Sequence, residues 1–195
     1  MAEAVKGEDR VVRLDRCVIE SKLQGSGKPR EVKANTILYV EDDTNDLFLL
    51  ESAFRTEGAN NLFRAARDGE EAIGYLEGKG LFADRTAYPL PMLVLLDLKM
   101  PKVDGLQVLR WVRTHREFKM LPVIMFSSSF LEPDIARSYS LGANSFIVKP
   151  TDLGELRQVA RFLIGWLRHV RPPPADEREW VALKADELEA RPQVE

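Results

Sequence analysis

Four chemically active groups each stand at the end of a short apolar run. The run MLVLLD (Met92–Asp97) closes in a lone carboxylate, Asp97, with a basic residue, Lys99, two places on and a proline at 101. TILYV (Thr36–Val40) closes in Glu41-Asp42-Asp43, PVIMF (Pro122–Phe126) in Ser127-Ser128-Ser129, and SFIVK (Ser145–Lys149) in an ammonium followed by Pro150. If the runs lie side by side in one parallel sheet, Glu41, Asp42 and Asp97 converge, and like charges that close raise one another's pKa values or demand a cation. Carboxylates, a backbone carbonyl and waters form an all-oxygen site that suits magnesium. Ser127 adds a hydroxyl donor and Lys149 a cation able to neutralise phosphate oxygens, which describes a phosphoryl site with Asp97 placed for in-line attack.

Each group also has a structural role to weigh. Asp43 is read as a helix N-cap, because acidic residues commonly satisfy the first N–H groups of a helix. Three carboxylates on strand ends exceed what capping requires. Lys149 is expected to pair with them whenever no phosphate is bound, and a serine run alone means little, since most are loops or caps.

The elements that must position these groups follow from periodicity. Short aliphatic runs bounded by turn residues read as strands buried on both faces of a parallel sheet. They alternate with helical patterns over Thr44–Thr56, Gly69–Leu76, Leu106–Thr114, Pro133–Ser140 and Leu153–Arg168, with LFRAA (Leu62–Ala66) as the remaining strand. Five β-α units with right-handed crossovers predict an α/β, doubly wound, five-stranded parallel sheet flanked by five helices, whose ligands gather at the carboxyl ends of the strands. The core unit spans 36–170. Residues 1–35 are charged and irregular and read as a flexible extension, although Val11–Ile19 has the pattern of a strand. Residues 171–195 start with RPPP, which stops the last helix, and continue into a charged tail with one short helix over Glu179–Glu189.

Composition excludes several classes. The 195 residues are 45% hydrophobic and 30% charged, enough for one sizeable core. A formal net charge of -3 argues against nucleic acid as a partner. No stretch approaches the ~20 apolar residues of a membrane span, and the start lacks the apolar core of a secretory signal, so no membrane association and a cytoplasmic location are expected. One cysteine, Cys17, and two histidines rule against a disulfide framework or a zinc site. GSGK (Gly25–Lys28) fails as a phosphate loop because Lys22 and Pro29 occupy the positions that require glycine and Ser/Thr.

Together, VEDD (Val40–Asp43), LLDLKMPKVDG (Leu95–Gly105), PVIMFSSS (Pro122–Ser129) and GANSFIVKP (Gly142–Pro150) resemble the receiver domain of bacterial two-component response regulators, a flavodoxin-like fold. The resemblance implies an acidic metal-binding pair at Glu41 and Asp42, a phosphoacceptor at Asp97 and a metal-ligating carbonyl at Lys99. It further implies a switch hydroxyl at Ser127, a conformational aromatic at Phe146, a phosphate-binding Lys149 and a cis Lys149–Pro150 bond. The implied cofactor is Mg2+, and the partner is a sensor histidine kinase or phosphotransfer protein. YVEDDTNDLFLLESAF, the insertion around Lys79–Pro91 and DLGELRQVARFLIGWL are similar to stand-alone regulators that partner bacterial phytochrome kinases.

Ser127 stands where threonine is commoner, and Phe146 dispenses with the hydroxyl of the alternative tyrosine. The protein is expected to be a self-catalysed phosphoacceptor with slow autodephosphorylation, not an enzyme in the usual sense. A magnesium-dependent phosphohydrolase would want a second aspartate where Lys99 stands, while a non-phosphorylated scaffold is the other alternative. The broad apolar stripe of the last helix, from Leu153 to Leu167, points to a homodimer through the surface formed by the fourth helix, fifth strand and fifth helix.

Overall fold

The alternation of apolar runs and amphipathic segments resolves into ten elements. A computed structural model describes residues 36–170; the expected strand at Val11–Ile19 and helix at Glu179–Glu189 lie outside the described residues. In chain order the elements are β1 (Ile37–Val40), α1 (Thr44–Thr56), β2 (Phe63–Ala66), α2 (Gly69–Glu77), β3 (Leu93–Leu96), α3 (Gly105–Thr114), β4 (Val123–Ser127), α4 (Glu132–Ser140), β5 (Ser145–Val148) and α5 (Leu153–His169). The strands form one parallel sheet in the order β2-β1-β3-β4-β5. Strand order reverses between β1 and β3, and such a switch point opens a crevice at the carboxyl edge of the sheet.

Each central strand feeds two cores. Ile37 and Tyr39 of β1 join Leu95 and Phe126 under α1 and α5, while Leu38 and Val40 join Val94, Leu96 and Met125 under α2 and α3. This two-sided burial is why β1 and β3 read as continuous apolar runs rather than alternating ones. The edge strands β2 and β5 are only partly covered. α5 buries Leu156, Ala160, Leu163, Ile164 and Leu167. α4 buries only Ser138 and is otherwise tied down by polar contacts: the Ser129 hydroxyl donates to Asp134 at 2.5 Å, and the Phe146 N–H donates to the Tyr139 hydroxyl at 3.2 Å.

The caps explain where the helices start. Asp43 accepts from the N–H groups of Asn45 and Asp46, as its capping role requires, and Asp104 with Gln107 forms a capping box at α3. Element ends shift slightly from expectation. β4 runs on to Ser127 because that residue pairs with Val148, and Leu62 belongs to a short 3-10 turn before β2. The Lys79–Pro91 insertion is ordered by Arg85, which donates to the carbonyls of Tyr75, Leu76 and Tyr88, and by the Tyr75 hydroxyl on the Pro89 carbonyl. One expectation is corrected: the Lys149–Pro150 bond is trans, the isomer an X–Pro bond intrinsically favours.

The loop from β3 to α3 determines how Asp97 is presented. The Asp97 N–H donates to Val40 and the Gly105 N–H to Leu98, closing the loop on itself. A Cβ on Gly105 would lie 2.0 Å from the Asp97 carbonyl oxygen, a backbone atom that cannot yield without shifting the strand end. Gly105→Ala is therefore expected to destabilise the protein by about 2 kcal/mol, the magnitude of an overpacked interior site. Urea unfolding checks this, with wild-type stability of the variant as the contrary result.

Candidate functional site

The site is assembled by strand register. Val40 pairs with Leu96, so Glu41 and Asp97 are the next residues on adjacent strands, and both are buried. Leu96 pairs with Met125, which brings Ser127 to the same edge, and Ser127 pairs with Val148, which places Lys149 just beyond it. Glu41, Asp42 and Asp97 each offer a carboxylate oxygen within 4.8 Å of the others, with Glu41 and Asp97 buried and Asp42 exposed. Asp42 thus borders solvent while the other two face inward.

Lys149 is the counter-charge. Its ammonium lies 2.5 Å from Glu41 Oε2, 2.8 Å from Asp46 Oδ2 and 3.3 Å from Asp97 Oδ1, with its side chain only 12% exposed. The pairing expected in the absence of phosphate is thus present. Burial works against the lysine's charge, but the hydrogen bonds to Asp46 and Glu41 and the charge of Asp97 outweigh it and hold its pKa above the ordinary value. Burial pushes the Glu41 carboxyl up, more than the hydrogen bonds from Lys149 and Tyr39 pull it down. Burial, and then the adjacent charge of Glu41, push the Tyr39 phenol far above its usual range.

Asp97 carries the least-satisfied atom. Oδ2 accepts the Lys99 N–H at 2.9 Å, but Oδ1 is buried without a hydrogen-bond partner, the ammonium of Lys149 being its nearest charge. A buried carboxylate oxygen in that condition is costly unless something binds it. Its setting suits a hard divalent cation: Glu41, Asp42 and Asp97 offer oxygen ligands close together, and one lysine is shared among Glu41, Asp46 and Asp97.

The other expected residues divide. Ser127 is buried, with its Oγ 3.4 Å from the Ser129 N–H. Lys99 sends an exposed side chain away from the core and contributes its N–H to Asp97. Phe146 does not join the carboxylates; it is half-buried on β5, packed against the α2/α3 core. Two site residues went unread in the sequence. Tyr39 donates to Glu41 Oε2 at 2.6 Å, and Asp46 takes Lys149. The two-residue period of β1 puts Tyr39 on the side of Glu41, and the first turn of α1 brings Asp46 back over the strand end, so spacing alone could have flagged both.

The response regulator receiver domain model matches residues 37–161. Two curated relatives are similar over most of their own length. The probable methanogenesis regulatory protein FilR2 of Methanothrix harundinacea is 34% identical, covering 70% of this chain and 88% of that protein. Response regulator Rcp1 of Synechocystis sp. is 32% identical, covering 71% and 93%. Among solved structures, the phosphorylated cyanobacterial phytochrome response regulator RcpA matches with a TM-score of 0.64 at 31% identity, over 72% of this chain and 100% of that one. The Mn2+-bound form of Rcp1 matches at 0.63 and 31%, over 72% and 99%. RPA3017, a response regulator in red light signaling of R. palustris, matches at 0.67 and 33%, also over 72% and 99%.

Proposed function

We propose, from the premise that this chain belongs to the response regulator receiver domain family, that Asp97 is the residue on which it receives a phosphoryl group. The family and the similarity to Rcp1 and the phytochrome regulators make the chain a response regulator. The finer assignments of donor, acceptor atom, ion and output are the proposal. The observation that carries it is the buried Asp97 Oδ1, free of hydrogen bonds and 3.3 Å from the Lys149 ammonium.

The donor is a phosphohistidine on a sensor kinase, of the phytochrome type, or on a phosphotransfer protein. An Asp97 carboxylate oxygen attacks phosphorus in line; the bond from phosphorus to the histidine nitrogen breaks as the bond to Asp97 forms. Lys149 neutralises phosphoryl oxygens as charge accumulates, and the Ser127 hydroxyl donates to one of them. Glu41, Asp42, Asp97 and the Lys99 carbonyl would hold a divalent ion, assigned as Mg2+, which when bound supplies charge neutralisation at the transferred group. The family acts as a self-modifying acceptor, so transfer stops at one phosphate per chain, unlike hydrolase turnover.

Output leaves through α4, β5 and α5. Ser127 drawn toward the acyl phosphate vacates space on the side where Phe146 lies half-buried, and α4, attached mainly by polar contacts, is the element free to respond. Tyr139 of α4, Val148 of β5 and Phe162 of α5 are exposed, and Phe162 is flanked at i-3 and i+4 by Val159 and Trp166, which are partly buried against the α1/α5 core. We assign this patch to a homodimer contact. The setting is cytoplasmic; among the described residues no helix is long and apolar enough to cross a membrane.

The aspartyl phosphate is assigned a long life. Lys99, exposed beside the acceptor, brings a cation where an attacking water would approach, and Ser129 is committed to Asp134, so neither offers a group that orients the water.

Three measurements test these assignments. Asp97→Asn should keep the fold yet lose all phosphorylation by acetyl phosphate or phosphoramidate, because the amide is a far poorer nucleophile; stable label on the variant would remove Asp97 from its role. Loss of label after donor removal should be faster in Lys99→Asn than in wild type, and equal or slower decay refutes the part given to Lys99. Light scattering at tens of micromolar should find a dimer, and a monomer both with and without a phosphoryl mimic would rule it out.

A further inference from the structure

Strand β1 brings a tyrosine to the acidic site along with its two carboxylates. Tyr39 is fully buried and meets Phe63 and Phe126 edge-on, with ring centroids 5.9 and 5.8 Å away. That hydroxyl donates to Glu41 Oε2 at 2.6 Å, and Lys149 donates to the same oxygen at 2.5 Å. Oε1 receives only the Asp43 N–H, at 3.2 Å. Two strong donors thus crowd one oxygen and leave the other the better placed to meet a cation.

We propose that Tyr39 is a positioning residue of the acidic site: its hydroxyl anchors Glu41 Oε2 so that Oε1 faces the metal, and it remains as that oxygen's donor when Lys149 turns to the phosphoryl group. The inference rests on the phosphoacceptor reading above. Lys149 needs only a short movement, since its ammonium already lies 3.3 Å from Asp97 Oδ1. Of the carboxylates it would release, Asp46 is 39% exposed and gains water, whereas Glu41 is 2% exposed and gains none. Without Tyr39 a buried carboxylate oxygen would be stripped of its donors at the moment of transfer, a costly state in a low-dielectric interior. Partners that orient a metal ligand in this manner act on affinity rather than on the fold, and their removal commonly weakens binding ten-fold or more.

The test is Mn2+ binding followed by the electron paramagnetic resonance of the free ion, with and without beryllofluoride. Tyr39→Phe keeps the ring and its packing and removes only the hydroxyl. Its Mn2+ dissociation constant should rise roughly ten-fold, and more than that with beryllofluoride bound, with little change in the midpoint of thermal unfolding in EDTA. Phe126→Leu loosens the ring's packing but keeps the hydroxyl, and should lower the midpoint while leaving Mn2+ affinity near wild type. In a Glu41→Gln background, Tyr39→Phe should no longer change affinity. An affinity within two-fold of wild type in Tyr39→Phe, or an equal loss in Phe126→Leu, overturns the assignment. Asp42→Asn separates the two levels: if it binds Mn2+ as wild type does, the acidic metal site itself is wrong and Tyr39 has no ligand to position.

Discussion

A single ammonium stands among three carboxylates at the carboxyl edge of the sheet, and the arrangement of the site follows from that imbalance. Lys149 contacts Glu41, Asp46 and Asp97 together, and Asp42 adds a fourth acid at the rim. Two carboxylates a little under 5 Å apart repel by roughly 3 kcal/mol at an effective dielectric of 20, so one lysine does not balance the set. The result is a site with more acceptors than donors, in which Asp97 Oδ1 is buried without a hydrogen bond and has only the Lys149 ion pair at 3.3 Å. Such a polar atom is expensive in a structure that gains nothing from it. In the proposed function a divalent cation answers that shortage of positive charge, and Asp97 takes the phosphoryl group.

The rest of the molecule holds this unfavourable cluster in place. β1 and β3 are covered on both faces, and their ends cannot splay apart to relieve the repulsion without exposing the apolar cores above and below. The loop after Asp97 is closed by backbone hydrogen bonds to Val40 and Leu98 and by the contact at Gly105. Rigidity on the β1/β3 side contrasts with the β4/β5 side. There α4 buries one serine and leans on Asp134 and Tyr139 for its attachment, and β5 is an edge strand. In the proposed function, charge change at the rigid end is expressed as movement at the lightly held end, since elements with few buried apolar contacts open at the lowest free-energy cost. Phe146 lies on that boundary, and its backbone N–H is what Tyr139 holds. A phenolic hydroxyl is present beside Phe146 after all, supplied by α4 rather than by β5.

Much of this was legible in the chain. Two-sided burial leaves continuous apolar runs, so the strands were recognisable, and helix α1 begins at the residue its Asp43 cap indicates. The convergence of Glu41, Asp42 and Asp97 followed from parallel topology, because adjacent strand ends in a parallel sheet must lie together. Tyr39 and Asp46 were harder to see. A tyrosine inside an apolar strand looks like core, and its ring is core; only the position of Glu41 beyond the strand end turns the hydroxyl into part of the site. The stripe along α5 looked wider than one sheet face could cover, but α1 packs beside it, so Leu156, Leu163 and Leu167 are interior while Phe162 is 59% exposed.

The sequence by itself determined which groups would meet, since covalent order, strand period and the handedness of β-α-β crossovers leave few ways to arrange five such units. Tertiary structure alone decided how they meet: which oxygen of Glu41 is occupied, which oxygen of Asp97 is left without a hydrogen bond, that Lys149 reaches Asp46, and that the Lys149–Pro150 bond is trans. The physical reason lies in range. Periodicity and topology act over whole elements and survive errors of a residue or two. Hydrogen bonds and ion pairs change over tenths of an ångström, a scale set only when both cores have closed and the side chains have taken their places.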